Sequence, residues 1–359
     1  MARYLCHQGF DVIVATKLYS DPAIYREEPF KILPLYAGRA AKNIFRDILF
    51  LFQLSALILR LKPDIVHAVS IKLAFLTSLI LVFSKKLQLV NAFTGLGYLF
   101  TSGDIKAKLL KLLVSSLLRL MLKKPNYSSI VQNTDDQNLL KALISNKTHK
   151  IFLVRGVGVE TKQFRFTDLP TTDPKLFLFP ARLLRDKGIF EFVEAAELVH
   201  KRATNVRFAV AGRWDKNNPT AVSIEKMSEW QKLSYFEWLG HVDDIERLIA
   251  DTYAVCLPSY REGLPKSLLE AASCGRAIIS TDVPGCKEIC RHMVNGILVP
   301  PKQSMKLASA MLWLLDNCKE AKEMGRKGRQ IVEQEFSADE INAQIREIFN
   351  VLLNVAIPR

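Results

Sequence analysis

Two stretches of the chain bring together the residue types that bind and neutralise phosphate. Pro258-Ser-Tyr-Arg-Glu-Gly-Leu-Pro-Lys-Ser-Leu-Leu-Glu270-Ala-Ala-Ser-Cys-Gly275 reads as a strand ending at Pro258, a loop carrying Glu262 and Gly263, and a helix from about Pro265. That order sets Glu262 beyond the carboxyl end of a strand, where open α/β sheets take their ligands. The amides around Gly263 and Leu264 fall at a helix N-terminus, whose unpaired N–H groups and dipole attract phosphate. Glu270 lies one to two turns into the helix, within reach of a ribose diol. Two carboxylates in this setting also occur on ordinary solvated helices, so they do not decide the matter alone. The second stretch, Phe179-Pro-Ala-Arg-Leu-Leu-Arg-Asp-Lys-Gly188, adds Arg182 just past a strand and Lys187 at the start of the next helix. Arg meets phosphate with a planar fork and Lys with a point charge, so the two neutralise a diphosphate. The sequence has no Asp-x-Asp pair to hold a divalent ion, and no metal is expected.

These groups need sheets to hold them. At 359 residues the chain exceeds one ordinary core, and two domains are expected. Short apolar runs predict strands at Asp11–Thr16, Phe30–Leu35, Asp64–Val69, Gln88–Phe93, Ser128–Asn133 and Ile151–Arg155. The rhythm resumes at Leu176–Pro180, Val206–Ala211, Phe236–Leu239, Ala254–Pro258, Ala277–Ser280 and Gly296–Val299. Helices fill the gaps, which predicts an α/β protein with two doubly wound parallel sheets. Val157 to Pro174 is rich in Thr, Asp, Lys and Pro with little periodicity. The expected division is therefore a domain at 1–160, a linker at 161–174 and a domain at 175–336, with a C-terminal helix at 337–359 packing back on the first domain. The chain opens in helical pattern at Ala2–His7 and passes straight to a strand. The first strand of a Rossmann-like half is thus missing, and we expect that Met1 is not the natural start, or that the chain is a truncated, impaired copy.

Charge is unevenly placed: residues 1–170 hold 24 Lys and Arg against 11 Asp and Glu, nearly all of the +14 of the chain. Such a basic half can meet nucleic acid, an anionic bilayer or phosphorylated substrates. Its cations lie among leucines, not among aromatic stacking residues, which argues against nucleic acid. In Ile105–Lys124, Lys108, Lys111, Ser115, Arg119 and Lys123 recur every three or four residues among leucines. This cationic amphipathic helix suits an anionic membrane surface, though a helix packed on the sheet with a solvated basic face has the same pattern. The uncharged apolar runs Ile48–Leu59 and Leu73–Ser84 span 12 residues each, too short to cross a bilayer. No leader is seen, and the six cysteines show neither a Cys-x-x-Cys pair nor a zinc spacing. A reduced, cytoplasmic protein, peripheral on the inner face of the cell membrane, is expected.

With these residues in place, the chain resembles family 4 of the retaining glycosyltransferases, with the GT-B fold. The resemblance is carried by Ala181-Arg182 with Lys187-Gly188, Val210-Ala-Gly212, Leu239-Gly-His241, the Glu262–Glu270 pair and Asn295-Gly-Ile-Leu-Val299. In the first half, Asp64-Ile-Val-His67, Thr94-Gly-Leu-Gly-Tyr98, Gln132-Asn133 and Gly156-Val-Gly-Val159 look like a branch that builds bacterial surface polysaccharides on polyprenyl diphosphate carriers. The resemblance implies two facing Rossmann-like domains with a cleft between them. It also implies that Arg182 and Lys187 hold the diphosphate of a nucleotide-sugar donor, most often a UDP-sugar, that Glu270 takes the ribose, and that Glu262 contacts the transferred sugar. The backbone from Leu239 to Val242 would line the base pocket. His67, at the end of a strand in the opposite domain, would sit close to the reacting sugar, unless it is a satisfied core histidine. No cofactor is implied, since the nucleotide-sugar is a substrate, and the acceptor would be a lipid-linked saccharide. A nucleotide-sugar epimerase or a phosphorylase would use the same architecture, but no local signature of either stands out.

Overall fold

The computed structural model describes residues 1–18, 25–35, 44–84, 86–96, 116, 118–119, 124–143, 149–216 and 218–356. They form two compact units, Met1–Val154 with Asn342–Arg359, and Arg155–Ile341.

In the first unit, helix α1 (Ala2–His7) precedes strands β1 (Ile13–Thr16) and β2 (Lys31–Pro34), which pair in parallel. Helix α2 (Ile44–Leu61) leads to β3 (Ile65–Val69), α3 (Ile71–Ile80), β4 (Gln88–Phe93), β5 (Tyr127–Val131), α4 (Thr134–Leu143) and β6 (Lys150–Leu153). The last four strands make a parallel sheet in the order β3-β4-β5-β6. Every residue of β4 and β5 is buried, because helices cover both faces of a parallel sheet and leave no polar side. Among the described residues β1 pairs only with β2, β3 only with β4, and no strand precedes β1. The expected helix at 105–124 lies almost wholly outside the described residues, Lys108, Lys111 and Lys123 included. Within it, Ser116, Leu118 and Arg119 are helical, with Leu118 buried and Arg119 exposed.

The second unit is a six-stranded parallel sheet in the order β12-β11-β10-β7-β8-β9. Its strands are β7 (Lys175–Phe179), β8 (Val206–Ala211), β9 (Phe236–Gly240), β10 (Ala254–Leu257), β11 (Ala277–Thr281) and β12 (Gly296–Val299). Helix α5 (Ile189–His200) follows β7, and α6 (Ile224–Trp230), α7 (Ile245–Ala250), α8 (Lys266–Ser273), α9 (Cys286–Ile289), α10 (Ser304–Asp316) and α11 (Cys318–Ile331) complete the layers. Phe177, Phe179, Phe192 and Phe208 form one buried aromatic set between sheet and helix. The strand order reverses between β7 and β10, and the loops at their carboxyl ends are drawn tight by two glycines. A Cβ on Gly188, whose φ is +77°, would stand 2.1 Å from the Pro258 carbonyl oxygen, and one on Gly212 would stand 1.9 Å from that of Ala181. Only glycine lets these loops meet over the switch point.

The stretch expected as a linker is a strap on the second unit. Ser273 Oγ donates to the Phe164 carbonyl at 2.6 Å, and Arg329 Nη1 donates to the same oxygen at 2.8 Å. Arg276, fully buried, donates to Thr167 Oγ1 at 2.6 Å and to the Asp168 carbonyl at 3.0 Å, and burial lowers its pKa to about 10. The boundary falls at 154/155, earlier than the expected 160, because Val159 exchanges backbone hydrogen bonds with Phe336 and Ala338. The final helix, α12 (Ala338–Ala356), leaves the second unit after Ile341. In the first unit its Phe349 ring lies edge-on to Phe10 at 6.3 Å and to His67 at 5.7 Å.

Two histidines of the first unit make stability depend on pH. Burial lowers the pKa of both His67 and His149 to about 4. Each has a buried ring nitrogen with no hydrogen-bond partner among the described residues, Nε2 of His67 and Nδ1 of His149. The unfolded chain binds these protons from about pH 6.5 downward while the folded chain refuses them until about pH 4. Their contribution is therefore complete above pH 6.5 and is lost as pH falls toward 4, on the order of 3 kcal/mol per histidine. Urea unfolding at pH 7 and pH 5 should show the first unit weakened at the lower pH, with His149→Asn flattening the change. An equal pH slope in the variant would contradict this account of His149.

Candidate active site

The carboxyl ends of β7 and β10 enclose a cavity of about 290 Å³. Pro180, Ala181 and Arg182 follow β7, Lys187 ends a single 3₁₀ turn (Arg185–Lys187) before Gly188, and Glu262 follows β10. Leu264, Pro265, Lys266 and Ser267 close it with the first turn of α8. No side chain caps that helix, so its leading N–H groups are directed to this space, the arrangement that favours an anion.

The cations and carboxylates here are already matched with one another. Lys187 Nζ donates to Glu262 Oε1 at 2.5 Å, with the Glu262 side chain only 10% exposed. Ser259 Oγ, fully buried, donates to the same oxygen at 2.7 Å. Both bonds fall on Oε1. Arg182 Nη1 is 2.7 Å from Asp215 Oδ2, and this pair is more open to water, with Arg182 about half exposed. Lys266 Nζ lies 3.0 Å from Glu270 Oε1. Burial raises the Glu270 pKa, Lys266 opposes that shift, and the charge of Glu246 adds to it. Any anion entering the cavity competes for Arg182 and Lys187 with the carboxylates they now hold.

The loop that carries Glu262 is fastened on several sides. Tyr260 N donates to the Asp186 carbonyl at 2.9 Å and Tyr260 Oη to Glu191 Oε1 at 2.6 Å. Burial, then the Glu191 bond, raises the Tyr260 pKa, so the phenol stays protonated. Thr281 Oγ1 donates to the Ser259 carbonyl. The Trp238 indole on β9 donates to the Gly212 carbonyl at 2.9 Å, fixing the loop beside Ala181.

Of the residues singled out by sequence, Arg182, Lys187, Glu262 and Leu264 line one cavity. Gly263 sits in the same loop, and Glu270 reaches that wall through Lys266. Val242 packs, half-buried, against the core of the second unit and does not line the cavity. His67 belongs to the first unit and stands in the middle of β3, opposite Val90 of β4, not at the end of its strand. Sequence reading missed Ser259, Asp215 and Lys266. For Ser259 and Lys266 a signal exists, since Ser259 precedes Glu262 by three residues and Lys266 precedes Glu270 by four, both spacings that local hydrogen bonds and ion pairs use. Asp215 has none, as its contact with Arg182 spans 33 residues.

Comparison with known proteins gives the family of the chain. Residues 160–331 match the family described as glycosyl transferases group 1, and residues 1–123 match glycosyltransferase family 4. The chain belongs to these glycosyltransferases. Among curated relatives, an N,N'-diacetylbacillosaminyl-diphospho-undecaprenol alpha-1,3-N-acetylgalactosaminyltransferase of Campylobacter jejuni is 27% identical over 81% of this chain and 78% of its own. Among solved structures, sucrose-phosphate synthase from Thermosynechococcus elongatus superposes with a TM-score of 0.81 at 20% identity, covering 99% of this chain and 92% of that one. HepE from Anabaena, in complex with UDP-glucose, gives 0.74 at 15% identity over 97% and 96%. The fold is GT-B, and each unit of this glycosyltransferase is a Rossmann-like domain. The group 1 match contains the whole cavity and all of its charged groups.

In this glycosyltransferase Ser259 holds the Glu262 side chain in place, and its removal tests whether Glu262 takes part in the reaction. Its hydroxyl fixes one oxygen of Glu262, and loss of a hydrogen bond to a charged group costs about 1.5–3 kcal/mol. Ser259→Ala should lower kcat about 10- to 100-fold while the donor KM changes little, since Arg182 and Lys187 are untouched. Steady-state kinetics distinguish this from a binding defect, which would raise KM at constant kcat.

Proposed function

We propose that the chain is a retaining, metal-independent hexosyl or N-acetylhexosaminyl transferase, taking its sugar from a UDP-sugar and passing it to a polyprenyl-diphosphate-linked saccharide on the cytoplasmic face of the cell membrane. The observation that carries this is the Lys187–Glu262 pair, set with Arg182 before the uncapped N-terminus of α8 at the strand-order switch. Departure of a nucleoside diphosphate develops negative charge on phosphate oxygens, where Arg182, Lys187 and the helix N-terminus stabilise it. The sugar passes through an oxocarbenium-like state, which Glu262 stabilises by its negative charge. The departing phosphate takes the acceptor hydroxyl proton on the same face, so the new bond keeps the donor configuration. Glu270 holds the ribose hydroxyls, and the backbone from Leu239 to Val242 receives the base.

The lipid-linked acceptor is supported by the name of the Campylobacter jejuni relative and by the excess of Lys and Arg in the first 170 residues. Lys108, Lys111, Arg119 and Lys123 would meet anionic headgroups, each adding about 1 kcal/mol. Among the described residues no helix is long and apolar enough to cross a membrane. A panel of nucleotide sugars screened for thermal protection identifies the donor. Proton NMR of the product formed with it then reads the anomeric configuration. Protection by UDP-sugars in EDTA and an unchanged anomeric configuration are the expected results; an inverted product or a strict divalent-metal requirement would overturn the reading.

A further inference from the structure

From Ile48 to Leu59, helix α2 is uncharged and apolar except for Gln53 and Ser55, and its described residues bury only part of that apolar surface. Phe50 and Leu54 are buried and pack with Leu35, Leu57, Ile58 and residues of α3. On the other side, Ile48 is 44% exposed, Leu49 68%, Phe52 70% and Leu59 74%. At about 100° per residue, Ile48, Phe52, Ala56 and Leu59 fall within about 80° of arc, and Leu49 about 20° beyond. They make one continuous stripe along roughly three turns. A single exposed leucine is ordinary on a protein surface, but a contiguous stripe of this kind marks an interaction site.

The charges around the stripe select its occupant. From Ile48 to Leu59 the helix is uncharged, Arg60 and Lys62 are exposed just beyond it, and Arg39, Lys42 and Arg46 precede it in sequence against the single acid Asp47. An apolar stripe with Arg60 and Lys62 exposed at its carboxyl end, and a basic stretch before it in sequence, fits the acyl and headgroup boundary of an anionic bilayer. A second copy fits less well, because an antiparallel pairing along the stripe would set the basic ends of one helix against those of the other.

We propose that the exposed face of α2 lies on an anionic lipid surface, with Leu49, Phe52 and Leu59 among the acyl chains and Arg60 and Lys62 at the headgroups. The choice of a bilayer over a protein rests on the lipid-linked acceptor proposed above. The stripe is separate in sequence from the 105–124 segment. It also places the partner on the first unit, leaving the donor cavity of the second untouched.

The test is flotation with phosphatidylglycerol–phosphatidylcholine vesicles at low salt, without donor or acceptor. The double variant Phe52→Asp with Leu59→Asp should lose vesicle binding by about tenfold or more, whereas Met305→Asp should retain it, Met305 being 74% exposed on the second unit. Thermal protection by the donor should be equal in wild type and both variants, which confirms that the fold survives. In a second measurement, Phe52→Trp should add fluorescence that brominated-chain lipids quench. The proposal is overturned if the double variant floats like wild type, if phosphatidylcholine alone binds equally well, if brominated lipid leaves the added tryptophan unquenched, or if sedimentation shows a wild-type dimer that the double variant abolishes. Failure to turn over any nucleotide sugar would instead sink the proposed function and leave the flotation result standing.

Discussion

Lys187→Ala should reduce donor turnover by at least about 10²- to 10³-fold with the fold intact, the scale expected when one preorganised charge leaves a developing anion. The ammonium is held 2.5 Å from Glu262 at the cavity wall, so it is ordered before the donor arrives and needs little rearrangement to reach the phosphate. Its removal also leaves the mostly buried Glu262 carboxylate without its countercharge, held by the hydrogen bond from Ser259. Both effects weaken the transition state, and the second weakens the resting protein as well, so the melting temperature must be measured beside kcat/KM. Arg182→Ala should act in the same direction and release Asp215, which is nearer to water and better solvated. Either variant making product at near wild-type rate would contradict the diphosphate assignment.

Glu262→Gln should cost about 10²- to 10⁴-fold in kcat while leaving nucleoside diphosphate affinity equal to or slightly above that of wild type. The amide has nearly the shape of the carboxylate and accepts the Ser259 hydrogen bond through its oxygen, so the loop stays in place. What disappears is the negative charge that, in the proposed mechanism, stabilises a cationic sugar in the transition state and does not meet the departing diphosphate. Lys187, freed from its ion pair, becomes fully available to phosphate, which is the reason affinity does not fall. Titration calorimetry with UDP, together with single-turnover kinetics, separates the two effects. A variant with normal kcat and weakened UDP binding would reverse the roles assigned to Glu262 and Lys187.

How far the sequence discloses this architecture depends on the kind of signal. Strands β10 and β11 are short apolar runs buried at every residue, and such runs announce a parallel sheet without any knowledge of partners. The loop order of Arg182, Lys187 and Glu262 is equally legible, because each follows a recognisable strand and precedes a helix. Their mutual contacts are not, since Lys187 and Glu262 meet across 75 residues. The same holds for 161–174, whose polar, aperiodic composition reads as a linker. What fastens it is Arg276, 109 residues beyond Thr167 and buried without any local mark. Helix α2 shows the opposite case. Its apolar residues from Ile48 to Leu59 cover most of the circumference, so periodicity alone does not tell its buried side from its exposed one. The 105–124 segment draws attention in the sequence because its lysines are periodic.

The central claim is that the second unit binds a nucleotide-sugar through its diphosphate and that the chain passes the sugar to a lipid-linked acceptor. The most direct measurement follows UDP release and lipid-linked product together in EDTA, with a UDP-sugar and membrane lipid extract. Equal molar amounts of both products, lost together in Lys187→Ala, are predicted; UDP released without glycosylated lipid, or undiminished product from the variant, would contradict the account.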